Sequence, residues 1–308
     1  MNDKETKIVI VNENPKNITY LELNDFFYIP LISIPKDITV LFINFTNQIN
    51  CLFLEKLENL KELTFKCPKS NLLNIKLPSS IIFLELDSYT ENNFDFLKYL
   101  PYLKTLNIFN SKIDNLDRKN LNNNIENFKT NTILKTCAFL ESTNLKNLEV
   151  FSEINISTIP KTIEQLVIIK LPKDLHLLAN FQQLTNLIIK YQKQNDADYL
   201  EITDETLNIL HNIPNLKFLY LKNVSIKNTE KFPTFLKGLC IRKSFVQDFS
   251  FLEKCNEIIS FALEENTVNN LCNIQFPKSI CSIELLRCSL QNLNFINNLP
   301  NLKEIIIS

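Results

Sequence analysis

The chain is short of the residues on which much enzyme chemistry rests. Its 308 residues include one Gly, one Met, no Trp, two His and three Arg. Phosphate loops, dinucleotide fingerprints and oxyanion nests need several glycines to turn the backbone sharply beside a ligand. With Gly238 alone, those motifs are excluded. The histidines, His176 and His211, have no Cys, His, Asp or Glu at metal-ligand spacing, so no metal or cofactor is expected. No cysteine has a nucleophile's partner, and the eight lack any CxxC pair, as in a reduced compartment.

Charge of one sign is missing too. Thirty-three basic residues balance 34 acidic ones, giving a net charge of -1. That mixture leaves no basic footprint for nucleic acid. No apolar run approaches the roughly 18 residues of a membrane span. The start, MNDKETKIVIV, places charges where a secretion signal needs an apolar stretch. A cytoplasmic (or nuclear) protein without enzymatic activity is expected. The N-x-[ST] sites at Asn17, Asn44, Asn155 and Asn223 read as chance in a chain with 43 asparagines, itself ascribed to codon bias.

What is present is a repeat. The phrase apolar-x-x-apolar-x-apolar starts at Ile18, Ile38, Leu60, Ile81, Leu103, Leu145, Ile163, Leu184, Leu216, Leu236, Ile280 and Leu302, with worn copies at Ile125 and Cys255. The mean spacing is about 22 residues, and units this short bury their apolar side only by stacking. Six prolines stand three residues before a start and three stand two before, as at Pro78 and Pro101. Proline lacks an N–H and extends its predecessor, so it marks the entry to a strand. These proline units alternate with units preceded by apolar residues at helical spacing, such as Phe94, Leu97, Leu100 and Leu103. Short helices or 3₁₀ turns are expected behind the second kind, with phenylalanines filling the interior.

The LxxLxL phrase at this period resembles the leucine-rich repeat family over nearly the whole chain. The longer phrase LxxLxLxx[N/C]xL is followed closely only from Ile280, through Cys288 and Leu290. The resemblance implies an α/β solenoid, a horseshoe of about fourteen units with a parallel concave sheet. Residues 1–17 would form a cap or leading strand and 18–308 one continuous domain. One unit is longer, with an insertion at about 190–215 that ends in a helix from Asp204. The worn copy at Ile125 is a place for a kink between two halves of the arc, but regular units resume on both sides, so stacking is expected to continue through it.

Strand alternation assigns the concave face. Its central column turns apolar at Val167, Ile188, Tyr220, Cys240 and Ile259. Phe218 precedes it, and Ile169, Lys190, Lys222, Arg242 and Phe261 flank it. An apolar strip beside three cations suits a protein partner with an acidic, partly apolar segment. Gly238 would be a gap in that face through which a partner nears the backbone. Phe42, Ile82 and Phe83 form a weaker candidate. The last strand phrase, LKEIII from Leu302, leaves an edge available for self-association. The expected function is a protein-interaction scaffold. Substrate recognition for a ubiquitin ligase through a separate adaptor, or regulation of a signalling enzyme such as a phosphatase, are narrower versions.

Overall fold

The computed structural model describes residues 18–24, 34–68, 72, 74–90, 93–113, 116, 121–132, 134, 137–151, 153–193, 195, 198–266, 271–288, 290 and 292–308. The expected cap over residues 1–17 lies outside them. Contacts divide the chain into two compact units, Met1–Ser152 with Thr158–Pro160, and Glu153–Ser157 with Lys161–Ser308.

The first unit carries seven parallel strands in sequence order: β1 (Tyr20–Asn24), β2 (Val40–Asn44), β3 (Glu62–Lys66), β4 (Phe83–Asp87), β5 (Thr105–Phe109), β6 (Asn127–Thr130) and β7 (Asn147–Val150). Each strand is one LxxLxL phrase. Its last two apolar positions, such as Leu84 and Leu86, point into the core and are fully buried, while the residues between them face outward. Register is continuous through the worn copy: Leu106 pairs with Phe128, and Phe128 with Leu148. The strand pairing therefore runs through the worn copy at Ile125 without a break.

The second unit has β8 (Gln165–Ile168), β9 (Asn186–Lys190), β10 (Leu200–Glu201), α1 (Asp204–His211), β11 (Phe218–Lys222), β12 (Val224–Ile226), β13 (Gly238–Arg242), β14 (Phe245–Val246), β15 (Ser260–Glu264), β16 (Ser282–Leu286) and β17 (Glu304–Ile307). The main sheet is ordered β8-β9-β11-β13-β15-β16-β17, all parallel where paired. A second ladder, β10-β12-β14, was not foreseen. It absorbs part of the insertion. Leu200 N–H donates to Asn223 O at 3.1 Å, Ile202 N–H donates to Ser225 O at 2.9 Å, and Tyr191 OH donates to Asp198 at 2.8 Å. Thr203 caps α1 by accepting from Thr206 N–H.

Turns of 3₁₀ helix stand behind units of the second kind, at Leu52–Lys56, Asp95–Tyr99, Ser250–Lys254 and Asn294–Asn298, but the proline units from Ile163 and Ile280 have shorter ones too, Ile156–Thr158 and Leu271–Asn273, so the backs do not alternate strictly. Their phenylalanines fill the interior. In the second unit, rings run in contact from Phe232 through Phe251, Phe249, Phe261 and Phe276 to Phe295, with centroids 4.0–6.4 Å apart.

Several asparagines have structural work here. Asn59, Asn124, Asn215 and Asn301 each stand just before a unit's first core residue. Each donates from Nδ2 to a backbone carbonyl one unit back, at 2.7–3.4 Å. Asn50, Asn93, Asn228 and Asn292 accept from the N–H two residues on and start the backs of their units as Asx turns. Asn223 is buried, with its Nδ2 donating to Tyr191 O at 2.7 Å, which commits that N-x-S asparagine to the fold.

The scarcity of glycine reappears as backbone strain. Ser88, Asn110, Asn223, Lys243, Glu265 and Arg287 have φ between 47° and 59°. Each is the second residue after its strand's last core position. A side chain in this region costs about 1–2 kcal/mol. The backbone N–H groups so turned find acceptors: Ser88 on Phe109 O at 2.9 Å, Lys243 on Glu264 O at 2.7 Å and Glu265 on Leu286 O at 2.9 Å.

Candidate functional site

The outward face of β9, β11, β13 and β15 forms a grid, because their register is unbroken. One row is Asn186, Phe218, Gly238, Ser260. The next is Ile188, Tyr220, Cys240, Ala262. The third is Lys190, Lys222, Arg242, Glu264. The first two rows line a depression of about 170 Å³.

Tyr220 lies at the centre. Lys190 Nζ is 5.9 Å from its ring centroid and Arg242 Cζ is 5.7 Å from it, so two cations stand beside one aromatic ring. Burial pushes the Tyr220 phenol up from its ordinary value, with Arg242 opposing. Burial also raises the Cys240 thiol, and its bond with Arg242 opposes that shift. Arg242 is held by Glu264 at 2.9 Å, and Glu264 is shared with Arg287. Arg287 also reaches Glu265 at 2.7 Å, which in turn binds Lys243 at 3.1 Å. Among the described residues Lys222 has no ion pair.

Of the expected site residues, Ile188, Lys190, Phe218, Tyr220, Lys222 and Arg242 come together in this grid. Five corrections are needed. Phe261 is fully buried, in register with core Leu239 and edge-on to Phe249. Ile259 is 45 % exposed but precedes β15 and is not in the central row. Both follow from a unit start misplaced by three residues. The core phrase begins at buried Ile258 and continues through Phe261 and Leu263, so Ala262 and Glu264 hold the places given to Ile259 and Phe261. Val167 is in register with Ile188 yet only 2 % exposed, so it offers a partner almost nothing. Ile169 lies beyond the end of β8, half-buried. Gly238, finally, is no open gap. The Phe218 ring lies on it, so close that a Cβ would stand 2.5 Å from Phe218 Cδ1.

The corrected phrase reveals a residue the sequence reading missed. Asn266 is the ninth residue counted from Ile258, where the full repeat phrase places Asn. It is 3 % exposed, donates to Ile241 O at 2.8 Å and Glu264 O at 3.0 Å, and accepts from Ser244 N–H at 3.1 Å. Ser244 and Ser111 take the same place in their units. Each hydroxyl accepts from the preceding unit's N–H and donates to its own strand's carbonyl.

In the first unit the equivalent face is polar. Asn107 donates to Glu85 at 3.1 Å, Lys129 binds Glu149 at 2.9 Å, and Lys129 Nζ stands 5.9 and 5.8 Å from the Phe109 and Phe151 rings. Phe42 sits under Lys66 at 5.4 Å, and Ile82 is 37 % exposed. Among the described residues no group of three His, Cys, Asp or Glu gathers as a metal site, and no helix is long and apolar enough to cross a membrane. His211 packs edge-on against Phe235, 5.4 Å between centroids.

No model of a known protein family matches the sequence. A leucine-rich repeat-containing protein of Amsacta moorei entomopoxvirus is 29% identical over 256 residues, covering 78% of this chain and 45% of that protein. The chain thus spans less than half the length of that relative. Among solved structures, CroV588, a circular leucine-rich repeat protein, superimposes with a TM-score of 0.58 at 17% identity, covering 97% of this chain and 48% of that one. An internalin of Listeria monocytogenes superimposes at 0.53 and 16% identity, covering 95% and 83%. The fold is a leucine-rich-repeat-like solenoid. Parallel strands with short helices and 3₁₀ turns at their backs agree with that assignment.

Proposed function

We propose that the chain is a non-enzymatic scaffold that holds a partner protein against the outward face of β9–β15, through an acidic and partly apolar segment of the partner. The observation that carries this reading is the exposure of Phe218. A phenylalanine 47 % exposed on a sheet face, beside a depression walled by Ile188, Tyr220, Cys240 and Ala262 and bordered by Lys190 and Lys222, is surface that association would bury with gain.

Affinity capture with in-cell crosslinking tests it. Partners crosslinked to the wild-type chain are expected to disappear with Phe218→Ala combined with Tyr220→Ala and to persist with Phe42→Ala on the first unit. Unchanged capture by the doubly substituted chain, folded by its melting transition, would remove this face from the function.

A further inference from the structure

On the outward face of the second unit, apolar and cationic positions form two lanes that run across the strands. Ile188, Tyr220, Cys240 and Ala262 stand in register on four neighbouring strands. Three strand steps make this apolar lane about 14 Å long. Glu284, in register with Ala262 on β16, closes one end of it. The cationic lane, Lys190, Lys222 and Arg242, lies two residues further along each strand, about 6.5 Å away. It ends at Glu264, whose carboxylate already answers Arg242. Lys222 sits between two like charges and, among the described residues, has no carboxylate of its own.

These dimensions discriminate between partner shapes. An extended segment laid along the apolar lane turns alternate side chains away from the sheet. It fills one lane and leaves the other untouched. An α-helix is about 10–12 Å across with its side chains, so it covers both lanes at once. An apolar stripe at i, i+4 and i+7 spans about 10 Å at a rise of 1.5 Å per residue, within the length of the apolar lane. Residues on the flank of that stripe then stand over the cations.

We propose that the partner segment is a short amphipathic α-helix lying across β9, β11, β13 and β15, with its apolar stripe over Tyr220 and Cys240 and acidic residues on the flank facing Lys190 and Lys222. This rests on the reading that the face binds a protein, and it adds the form and polarity of what is bound.

The test uses the full chain and three fluorescein-labelled synthetic peptides of about 16 residues, long enough to populate helix. One carries a leucine stripe at i, i+4, i+7 and i+11 flanked by Glu. A second has Lys for every Glu. A third is a scramble of the first that destroys the stripe. Fluorescence anisotropy is expected to rank the Glu helix first, with the other two weaker by about tenfold or more. Lys190→Glu with Lys222→Glu is expected to invert the order of the Glu and Lys helices. Cys240→Arg, which fills the apolar lane, is expected to abolish binding of the Glu helix. Equal binding of the scramble, indifference to the charge reversal, survival of binding in Cys240→Arg, or no saturable binding by any peptide each overturns the helix proposal. The peptide ranking needs only the wild-type chain, so it stands even where a variant fails to fold. Loss of the helix proposal leaves the scaffold reading to the crosslinking result, which depends on no assumption about partner shape.

Discussion

The ring of Phe218 rests on the backbone of Gly238, its partner in the β11–β13 ladder. This contact explains the chain's one glycine. Gly238 has no positive φ, so backbone conformation does not demand it. It is needed because a Cβ would meet Phe218 Cδ1 at 2.5 Å and Cε1 at 2.9 Å. Gly238→Ala is therefore expected to destabilise the protein by about 1 kcal/mol, the lower end of the cost of overpacking, since half-exposed Phe218 can swing outward. With Phe218→Ala already in place, the same substitution should be neutral or stabilising by about 0.5–1 kcal/mol, because alanine loses less freedom than glycine on entering a strand. Thermal unfolding of the four members of this cycle checks the sign change. The same negative effect in both backgrounds would disprove the account.

Glu264 joins Arg242 at the end of β13 and Arg287 just past β16, while only 12% of its side chain is exposed. Removing its charge leaves Arg242 without its carboxylate partner and Arg287 with Glu265 alone. Glu264→Gln is expected to cost about 1–2 kcal/mol, since the arginines keep partial access to solvent. It should also tighten binding of the Glu-flanked peptide, because it releases Arg242 into the cationic lane. Melting temperature and peptide anisotropy on one preparation measure both effects.

Much of this was legible in the sequence, and for a physical reason. A repeating unit that must stack leaves its core positions in every copy, so period, strand positions and the presence of short helical backs could be read, whereas the expected restriction of those backs to alternate units did not hold. The error at residues 255–263 is instructive. Cys255 and Ile258 stand three apart and are both buried, so they imitate the first two core positions of a unit. Leu263 and Asn266 were the signals that give the correct start. The β10-β12-β14 ladder was invisible because strands of two or three residues carry no periodicity. The ring over Gly238 was invisible because side-chain rotamers are settled by neighbours in space. Of the candidate site, the residues on β9, β11 and β13 were found. Those near Ile259 were displaced by the start error, and Val167 was given an exposure that alternation alone does not guarantee.

Asn266 carries more than a surface turn. It is buried and satisfies three backbone groups from two neighbouring units. Asn266→Ala strands those groups away from water, at an expected cost of about 2–4 kcal/mol. Asn301 makes one bond at an exposed turn, to Lys278 O at 2.7 Å, and Asn301→Ala should cost no more than about 1 kcal/mol. Similar losses for the two, measured by thermal unfolding, would show that burial does not set the value of these ladders.

Ser88 tests the left-handed corners. Its φ of 59° is one glycine adopts without penalty, and its backbone N–H bond to Phe109 O does not depend on its side chain. Ser88→Gly removes the Cβ strain, adds freedom to the unfolded chain and loses the hydroxyl bond to Asp87. The first effect is the largest, and a gain of up to about 1 kcal/mol is expected. A fall in melting temperature would place the Ser88–Asp87 bond above the backbone term.

Alkaline pH should weaken the fold through its buried thiols. Burial pushes Cys51, Cys67, Cys137 and Cys255 up to about 12 from an ordinary 9.0. In the unfolded chain the same thiols ionise near the ordinary value. Between the two, the unfolded state releases protons that the folded state retains, so stability complete below pH 9 is lost progressively as pH rises toward 12. Cys255→Ala removes one such group. It is expected to lower the melting temperature at neutral pH, through lost packing, and to make the decline above about pH 9 shallower than in the wild type. Parallel curves for the two proteins across that window would mean that the thiol does not contribute to the alkaline transition.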